Sequence, residues 1–270
     1  MNVSVASSSL HRRVGHEDSS WLHWFSQQDN ARLRLFCFPY AGVGPAVFRL
    51  WPGGLPTSVD VCAVALPGRG SRINEPTIAD ISDIAEAAAW AISAHVDRPF
   101  AFFGHSMGAL VAYETAHRLS RSAGCTPEYL FLSGRCPPHI VNDGSHLHTL
   151  PDQEFVLEIN RRYGGIPPVI LNEPELLALL LPALRADIAA LELFEPVQRP
   201  PLDCPMSVFG GLEDERALRD HLEEWRNATT GKFSLRQFPG GHFYIEQRRS
   251  DLLADISQAL FSRLDEPGYV

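Results

Sequence analysis

The run Pro99-Phe100-Ala101-Phe102-Phe103-Gly104-His105-Ser106-Met107-Gly108-Ala109-Leu110-Val111-Ala112-Tyr113 changes periodicity at its centre. Its first part is short and continuously apolar, as in a strand buried on both faces. Its second part opens a stretch in which Ala109, Leu110, Ala112, Tyr113 and Ala116 fall at helical spacing. Between them, Gly104-His105-Ser106-Met107-Gly108 fits a sharp strand-to-helix turn that lifts a serine hydroxyl clear of the sheet. A turn of that kind is strained, and bulky flanking side chains would collide with neighbouring backbone, so glycine at both ends meets a steric demand. The plainer reading is a structural serine in a Gly-rich turn; the strand before it and the helix after it weigh against that.

Similar apolar runs recur on either side, at Leu33–Phe38, Val59–Leu66, Tyr129–Ser133, Met206–Phe209 and Phe233–Phe238, with Phe100–Phe103 among them. Most are apolar on consecutive positions, which predicts a mainly parallel central sheet covered by helices on both faces. Ile81, Ile84, Ala85, Ala88 and Ile92 recur at helical spacing between two of the runs, with Asp80 placed to cap that helix. Right-handed crossovers are the default. Residues 31–136 and 201–265 are expected to form this α/β core. Residues 137–200 are too many for one crossover and read as an insertion. It comprises a Pro-rich loop, a helix over Asp152–Tyr163, a Gly164-Gly165-Ile166-Pro167-Pro168 break, and an apolar helix near Glu175–Leu193. The last is apolar on most faces and must pack against the body or a bound apolar ligand. Residues 1–30, rich in Ser and His, are expected to be a mobile tail.

The composition narrows the function classes. Of 270 residues, 45% are hydrophobic and 20% charged, which is enough to bury a large core and excludes intrinsic disorder. Lys and Arg number 23 against 32 Asp and Glu, a net charge of −9 that argues against a nucleic-acid binder. The five cysteines are scattered without C-x-x-C spacing, which fits neither a zinc site nor a redox pair and suggests a reduced, cytoplasmic setting. No apolar run is long enough for a membrane span, and the N-terminus lacks the apolar core of an export signal.

A serine hydroxyl is a poor nucleophile at neutral pH and needs a base, itself held by a third group. His242 lies in the Gly-rich loop Phe238-Pro239-Gly240-Gly241-His242-Phe243 after a late strand. Of the rival imidazoles, His105 points elsewhere on the turn. His95, His117 and His221 sit in helical patterns, and His146 and His148 lie in the insertion. The strand before the histidine loop ends in Glu213-Asp214-Glu215; Asp214 is the expected acid, Glu213 its local alternative. The order Ser106, Asp214, His242 is that of an α/β-hydrolase. An oxyanion hole needs the amide of the residue after the nucleophile, here Met107, and one from an early loop. Phe38-Pro39-Tyr40-Ala41-Gly42-Val43-Gly44 supplies such a loop, with Ala41 the expected donor. That loop lacks the Lys-Ser/Thr pair and spacing of a nucleotide cradle.

Taken together, Phe38-Pro39-Tyr40-Ala41-Gly42, Leu66-Pro67-Gly68-Arg69-Gly70, the Ser106 elbow, Leu184-Arg185-Ala186-Asp187, Gly210-Gly211-x-x-Asp214, Trp225 and the His242 loop resemble the stand-alone type II thioesterases of polyketide and nonribosomal peptide synthesis, over Leu33–Leu260. The resemblance implies an α/β-hydrolase fold and hydrolysis of acyl thioesters on the phosphopantetheine arm of acyl or peptidyl carrier proteins, clearing stalled groups. It assigns Ser106, Asp214 and His242 as triad, the Ala41 and Met107 amides as oxyanion hole, and residues 137–200 as a lid. It implies no cofactor and no metal, a transient carrier partner, and a monomer. Tyr40 departs from the pattern, since many relatives carry histidine there. A carboxylesterase or lipase, an acyltransferase, and a catalytically silent binding protein on the same scaffold are the alternatives. Because the chain is net negative, carrier docking would need a local basic patch, for which Arg69, Arg72, Arg161 and Arg162 are candidates.

Overall fold

The structure, a computed structural model, describes residues 18–140, 145–164, 166, 171 and 173–264. Seven strands form one sheet: β1 (Leu22–Trp24), β2 (Leu33–Phe38), β3 (Val59–Val64), β4 (Phe100–His105), β5 (Tyr129–Ser133), β6 (Met206–Gly211) and β7 (Phe233–Phe238). They are ordered β1-β3-β2-β4-β5-β6-β7, and every neighbouring pair except β1–β3 is parallel. Strands β3 and β4 are buried at every position, as continuous apolar runs between two helical layers require. Strand β7, at the edge, alternates half-buried and exposed positions.

Two apolar cores lie on the two faces of the sheet. One joins Phe36, Phe102, Leu130 and Met206 to helices α1 (Ile81–Ser93) and α2 (Met107–Ala123). The other joins Leu35, Phe103, Phe131 and Phe209 to Leu252, Ile256 and Leu260 of the C-terminal helix. Asp80 caps α1 as expected, its carboxylate accepting from the Ser82 and Asp83 amides at 2.6 and 3.0 Å. Between β5 and β6 the inserted segment carries α3 (Asp152–Tyr163) and α4 (Pro174–Glu192). Pro174 opens α4 at its first turn, where a missing N–H costs nothing. The C-terminal half of α4 is buried through Ala186–Leu191, whereas Leu176 and Leu179 near its start are exposed. After β6 come α5 (Arg219–Glu223), then α6 (Tyr244–Gln247) and α7 (Arg249–Leu264) after β7. No helix among the described residues is long and apolar enough to cross a membrane.

Of the mobile tail expected over residues 1–30, the part from Trp21 on is packed against the body instead. Residues 1–17 lie outside the described residues, but β1 pairs antiparallel with β3, Leu22 opposite Val64 and Trp24 opposite Cys62. The side chains of Trp21 and Leu22 are buried, and the Gln28 amide donates to the Asp60 carboxylate at 2.8 Å. The physical reason is the free edge of β3: without β1, a fully buried strand would leave its amides and carbonyls unpaired.

Candidate active site

Ser106 stands between the last residue of β4 and the first of α2 with φ 54° and ψ −116°, the one non-glycine residue with positive φ among those described. A conformation of that kind costs on the order of 1–3 kcal/mol and persists only where the surroundings enforce it. Here the Ser106 amide donates to the Ser133 carbonyl of the neighbouring strand at 2.8 Å. The flanking glycines are sterically required: a Cβ on Gly104 would lie 2.1 Å from the Gly108 carbonyl oxygen, and one on Gly108 would lie 2.0 Å from that of Phe38.

The three side chains read from distant parts of the sequence meet at this turn. His242 Nε2 is 2.9 Å from Ser106 Oγ, and His242 Nδ1 is 2.7 Å from Asp214 Oδ2. All three residues are buried. The second Asp214 oxygen accepts from the Arg216 amide at 3.0 Å, which holds the carboxylate's orientation. Glu213, the alternative acid, is exposed, and its amide donates to the Gly240 carbonyl of the histidine loop. The loop can approach because Gly211 has no side chain: a Cβ there would lie 2.4 Å from the carbonyl oxygens of Gly240 and Gly241.

The early loop forms a β-turn over Tyr40–Val43, closed by a Val43 amide to Tyr40 carbonyl bond of 3.4 Å. Gly42 takes φ +80°, the left-handed third position of a type II turn. The Tyr40 hydroxyl donates to Glu246 Oε1 at 2.9 Å, tying the turn to α6. Ala41 lines the same cavity as Ser106, and Met107 is the first residue of α2, where an amide has no intrahelical acceptor.

Three further features were not evident beforehand. His105 is fully buried; its Nδ1 is 2.8 Å from Ser133 Oγ, which in turn is 2.6 Å from the Tyr244 hydroxyl. Burial, followed by the proximity of His242, holds the His105 imidazole far below its usual range, so it stays neutral at 5.1 Å, ring to ring, from His242. Tyr163, ending α3, sits 5.4 Å from the His242 ring and roofs the site from the insertion. Its helical spacing with Phe155 and Ile159 was the available signal.

The third feature is a correction concerning the arginines. Arg69 and Arg72 are buried, not surface residues. Arg69 grips Asp187 of α4 with both terminal nitrogens, and Arg72 bonds Glu75 and the Ala65 carbonyl while its guanidinium covers the Trp21 ring. Neither can greet a partner. On α3, Arg162 is mostly buried against Glu158, and Arg161, also paired to Glu158, is the exposed member of the set.

A cavity of about 120 Å³ opens from Ser106 and His242. The insertion gives it an apolar lining: Ile159 and Tyr163 of α3 and Leu181, Leu184, Ile188 and Leu191 of α4. The Gly165 and Pro167-Pro168 parts of the expected break lie outside the described residues. The arrangement thus offers a nucleophile with its base and acid, amides beside it, and an apolar slot, which together suit acyl transfer.

The Thioesterase domain family matches residues 33–260. Linear gramicidin dehydrogenase LgrE of Brevibacillus parabrevis is 39% identical over 248 residues, 91% of this chain and 94% of its own length. Among solved structures, the RedJ thioesterase from the prodiginine biosynthetic pathway of Streptomyces coelicolor is 40% identical with a TM-score of 0.80, covering 84% of this chain and 90% of its own. The type II thioesterase BorB from the borrelidin biosynthetic cluster is 32% identical with a TM-score of 0.81, covering 90% and 98%. With a buried serine-histidine-aspartate arrangement over an apolar slot, an α/β-hydrolase sheet, and a family match spanning nearly all of the described core, the chain belongs to the thioesterase family.

Proposed function

We propose that this thioesterase hydrolyses acyl groups held as thioesters on the phosphopantetheine arm of acyl or peptidyl carrier proteins, removing stalled or aberrant groups in polyketide or nonribosomal peptide synthesis. The observation that carries the reading is the Ser106–His242–Asp214 relay, at 2.9 and 2.7 Å, opening onto an apolar slot. Ser106 Oγ attacks the thioester carbonyl carbon as His242 Nε2 takes its proton. The oxyanion is met by the Met107 and Ala41 amides. Collapse breaks the carbon–sulfur bond, and the departing sulfur takes the proton from His242 to leave as the pantetheine thiol. Water then attacks the Ser106 ester, giving its proton to His242. Collapse releases the carboxylic acid and returns the proton to Ser106 Oγ. Asp214 orients the imidazole and stabilises its charge. No cofactor or metal takes part in this scheme.

In this reading residues 137–200 are the lid, and α3 and α4 shape the acyl slot. The carrier contact is brief, as clearing many different groups requires, and involves the exposed Arg161 of α3. The enzyme acts as a monomer in the cytoplasm, where its five free cysteines stay reduced. Intact-protein mass spectrometry tests the reading: an acyl-carrier protein should lose its acyl mass on incubation with the enzyme and keep it with Ser106→Ala. Equal loss with both proteins would remove Ser106 from the reaction.

A further inference from the structure

Asp187 is the most deeply buried carboxylate near the site, and the relay does not use it. It lies on α4, one turn from Leu184 and next to Ile188, both of which line the slot. Three donors converge on it. Both terminal nitrogens of buried Arg69 form a fork with it, one bond at 2.8 Å, and the Gly42 amide donates to its Oδ2 at 2.7 Å. Burial pushes the carboxyl above its usual range, and Arg69 and the Gly42 amide oppose that rise.

The Gly42 contact matters because Gly42 is the residue after Ala41, in the turn Tyr40–Val43. On the other flank, Tyr40 is held by its hydroxyl bond to Glu246. The turn closure itself is long, at 3.4 Å, so the turn is placed by these outside anchors more than by its own bond. Leu184 packs where a Gly42 Cβ would fall, 2.9 Å from its Cδ1, so α4 and the turn touch directly.

We propose that Asp187 is a positioning residue for the reaction: its bond to the Gly42 amide aims the neighbouring Ala41 amide at the oxyanion and ties that aim to the helix lining the acyl slot. This rests on the proposed thioesterase mechanism with Ala41 as donor. The fork to Arg69 fixes the carboxylate with two charge-assisted bonds, leaving one oxygen shared with Gly42. Any shift of α4 is thereby transmitted to the hole. The acyl group pressing on Leu184 and Ile188 and the oxyanion donor are parts of one rigid unit.

The test compares three quantities on the whole enzyme: kcat/KM for a thioester substrate, affinity for the matching trifluoromethyl ketone, whose adduct with Ser106 carries an oxyanion, and affinity for a thioether lacking the carbonyl. Asp187→Leu, which removes the acceptor of the Gly42 amide, should lower kcat and ketone affinity together by about 10²-fold, with thioether affinity within about threefold of wild type. Because Asp187→Leu alone leaves Arg69 buried without its anion and can fail to fold, a double variant, Asp187→Leu with Arg69→Met, removes both charges at similar volume, an exchange that buried pairs tolerate. It lacks the Gly42 acceptor, so it should be folded by circular dichroism and show the same split. A folded double variant with wild-type kcat/KM and ketone affinity overturns the proposal, as does equal loss of ketone and thioether affinity, which would make Asp187 only a prop for the slot. A wild-type enzyme that neither hydrolyses the thioester nor binds the ketone overturns the functional reading, and this proposal with it.

Discussion

Gly108→Ala isolates the steric logic of the elbow in one methyl group. The added Cβ would sit 2.0 Å from the Phe38 oxygen, 2.6 Å from its carbonyl carbon and 2.7 Å from the Pro39 oxygen. Ordinary van der Waals contact begins at 3.4 Å, so relief requires a movement of about 1.4 Å, the difference between 3.4 and 2.0 Å. All three neighbours are backbone, so no rotamer change can supply it. Either α2 withdraws, carrying Met107 with it, or the Phe38–Pro39 backbone moves, carrying the Tyr40–Val43 turn. Both outcomes displace a proposed oxyanion donor by about 1 Å, which costs about 10²-fold in rate. Overpacking of this kind also destabilises by roughly 1–3 kcal/mol, or about 2–4 °C in Tm per kcal/mol for a chain of this size. Gly53→Ala is the control, because nothing lies within 4 Å of its Cβ. Thioester hydrolysis and thermal unfolding on both variants decide the matter. A Gly108→Ala enzyme with kcat/KM within twofold of Gly53→Ala and the same Tm would refute the reasoning.

Three other outcomes follow from named contacts. His242→Ala should be as inactive as Ser106→Ala, while Asp214→Asn keeps more activity, since the acid orients the imidazole without exchanging the proton itself; Asp214→Asn activity below that of His242→Ala contradicts this. His105 and His117 are held neutral by burial, His117 down to about 4, so the unfolded chain binds more protons than the folded one below pH 6.5. Stability should therefore fall as pH drops from 6.5 toward 4, with a slope approaching about 1.4 kcal/mol per pH unit for each imidazole, and urea midpoints at pH 7 and 5 measure it. Arg161→Glu should raise KM for a carrier-bound substrate several-fold while leaving nitrophenyl ester turnover unchanged, because its side chain is exposed and its surface pair with Glu158 contributes little to stability; equal loss on both substrates contradicts this.

Long-range order was legible where short-range pattern carried it. Strands Leu33–Phe38, Tyr129–Ser133 and Phe233–Phe238 and helix Asp152–Tyr163 have the bounds that apolar runs and helical spacing predict. Ser106, Asp214 and His242 could be named because each sits in a turn with its own glycine signature, although 136 residues separate the first from the last. Strand β1 escaped because it has three residues and lies on an edge; the alternation of Leu22 and Trp24 about His23 is its only trace. Arg69 and Arg72 were misread as surface because arginine usually is. What buries Arg69 is Asp187, 118 residues away, and no local window of sequence reveals that pairing. A separation of 145 residues likewise hid the link from Asp187 in the insertion to Gly42 in the turn at Ala41.

If the proposed function holds, the relay cleaves carrier-bound thioesters in preference to free esters. The direct measurement is kcat/KM for one acyl group presented three ways: on a holo-carrier protein, on a pantetheine-length thiol, and as a nitrophenyl ester. The carrier thioester should be cleaved with the highest kcat/KM, by a modest margin over the free thioester, and the acyl mass should leave the carrier as the free acid. A carrier that keeps its acyl group while the nitrophenyl ester is turned over would contradict the account and mark the enzyme as a carboxylesterase.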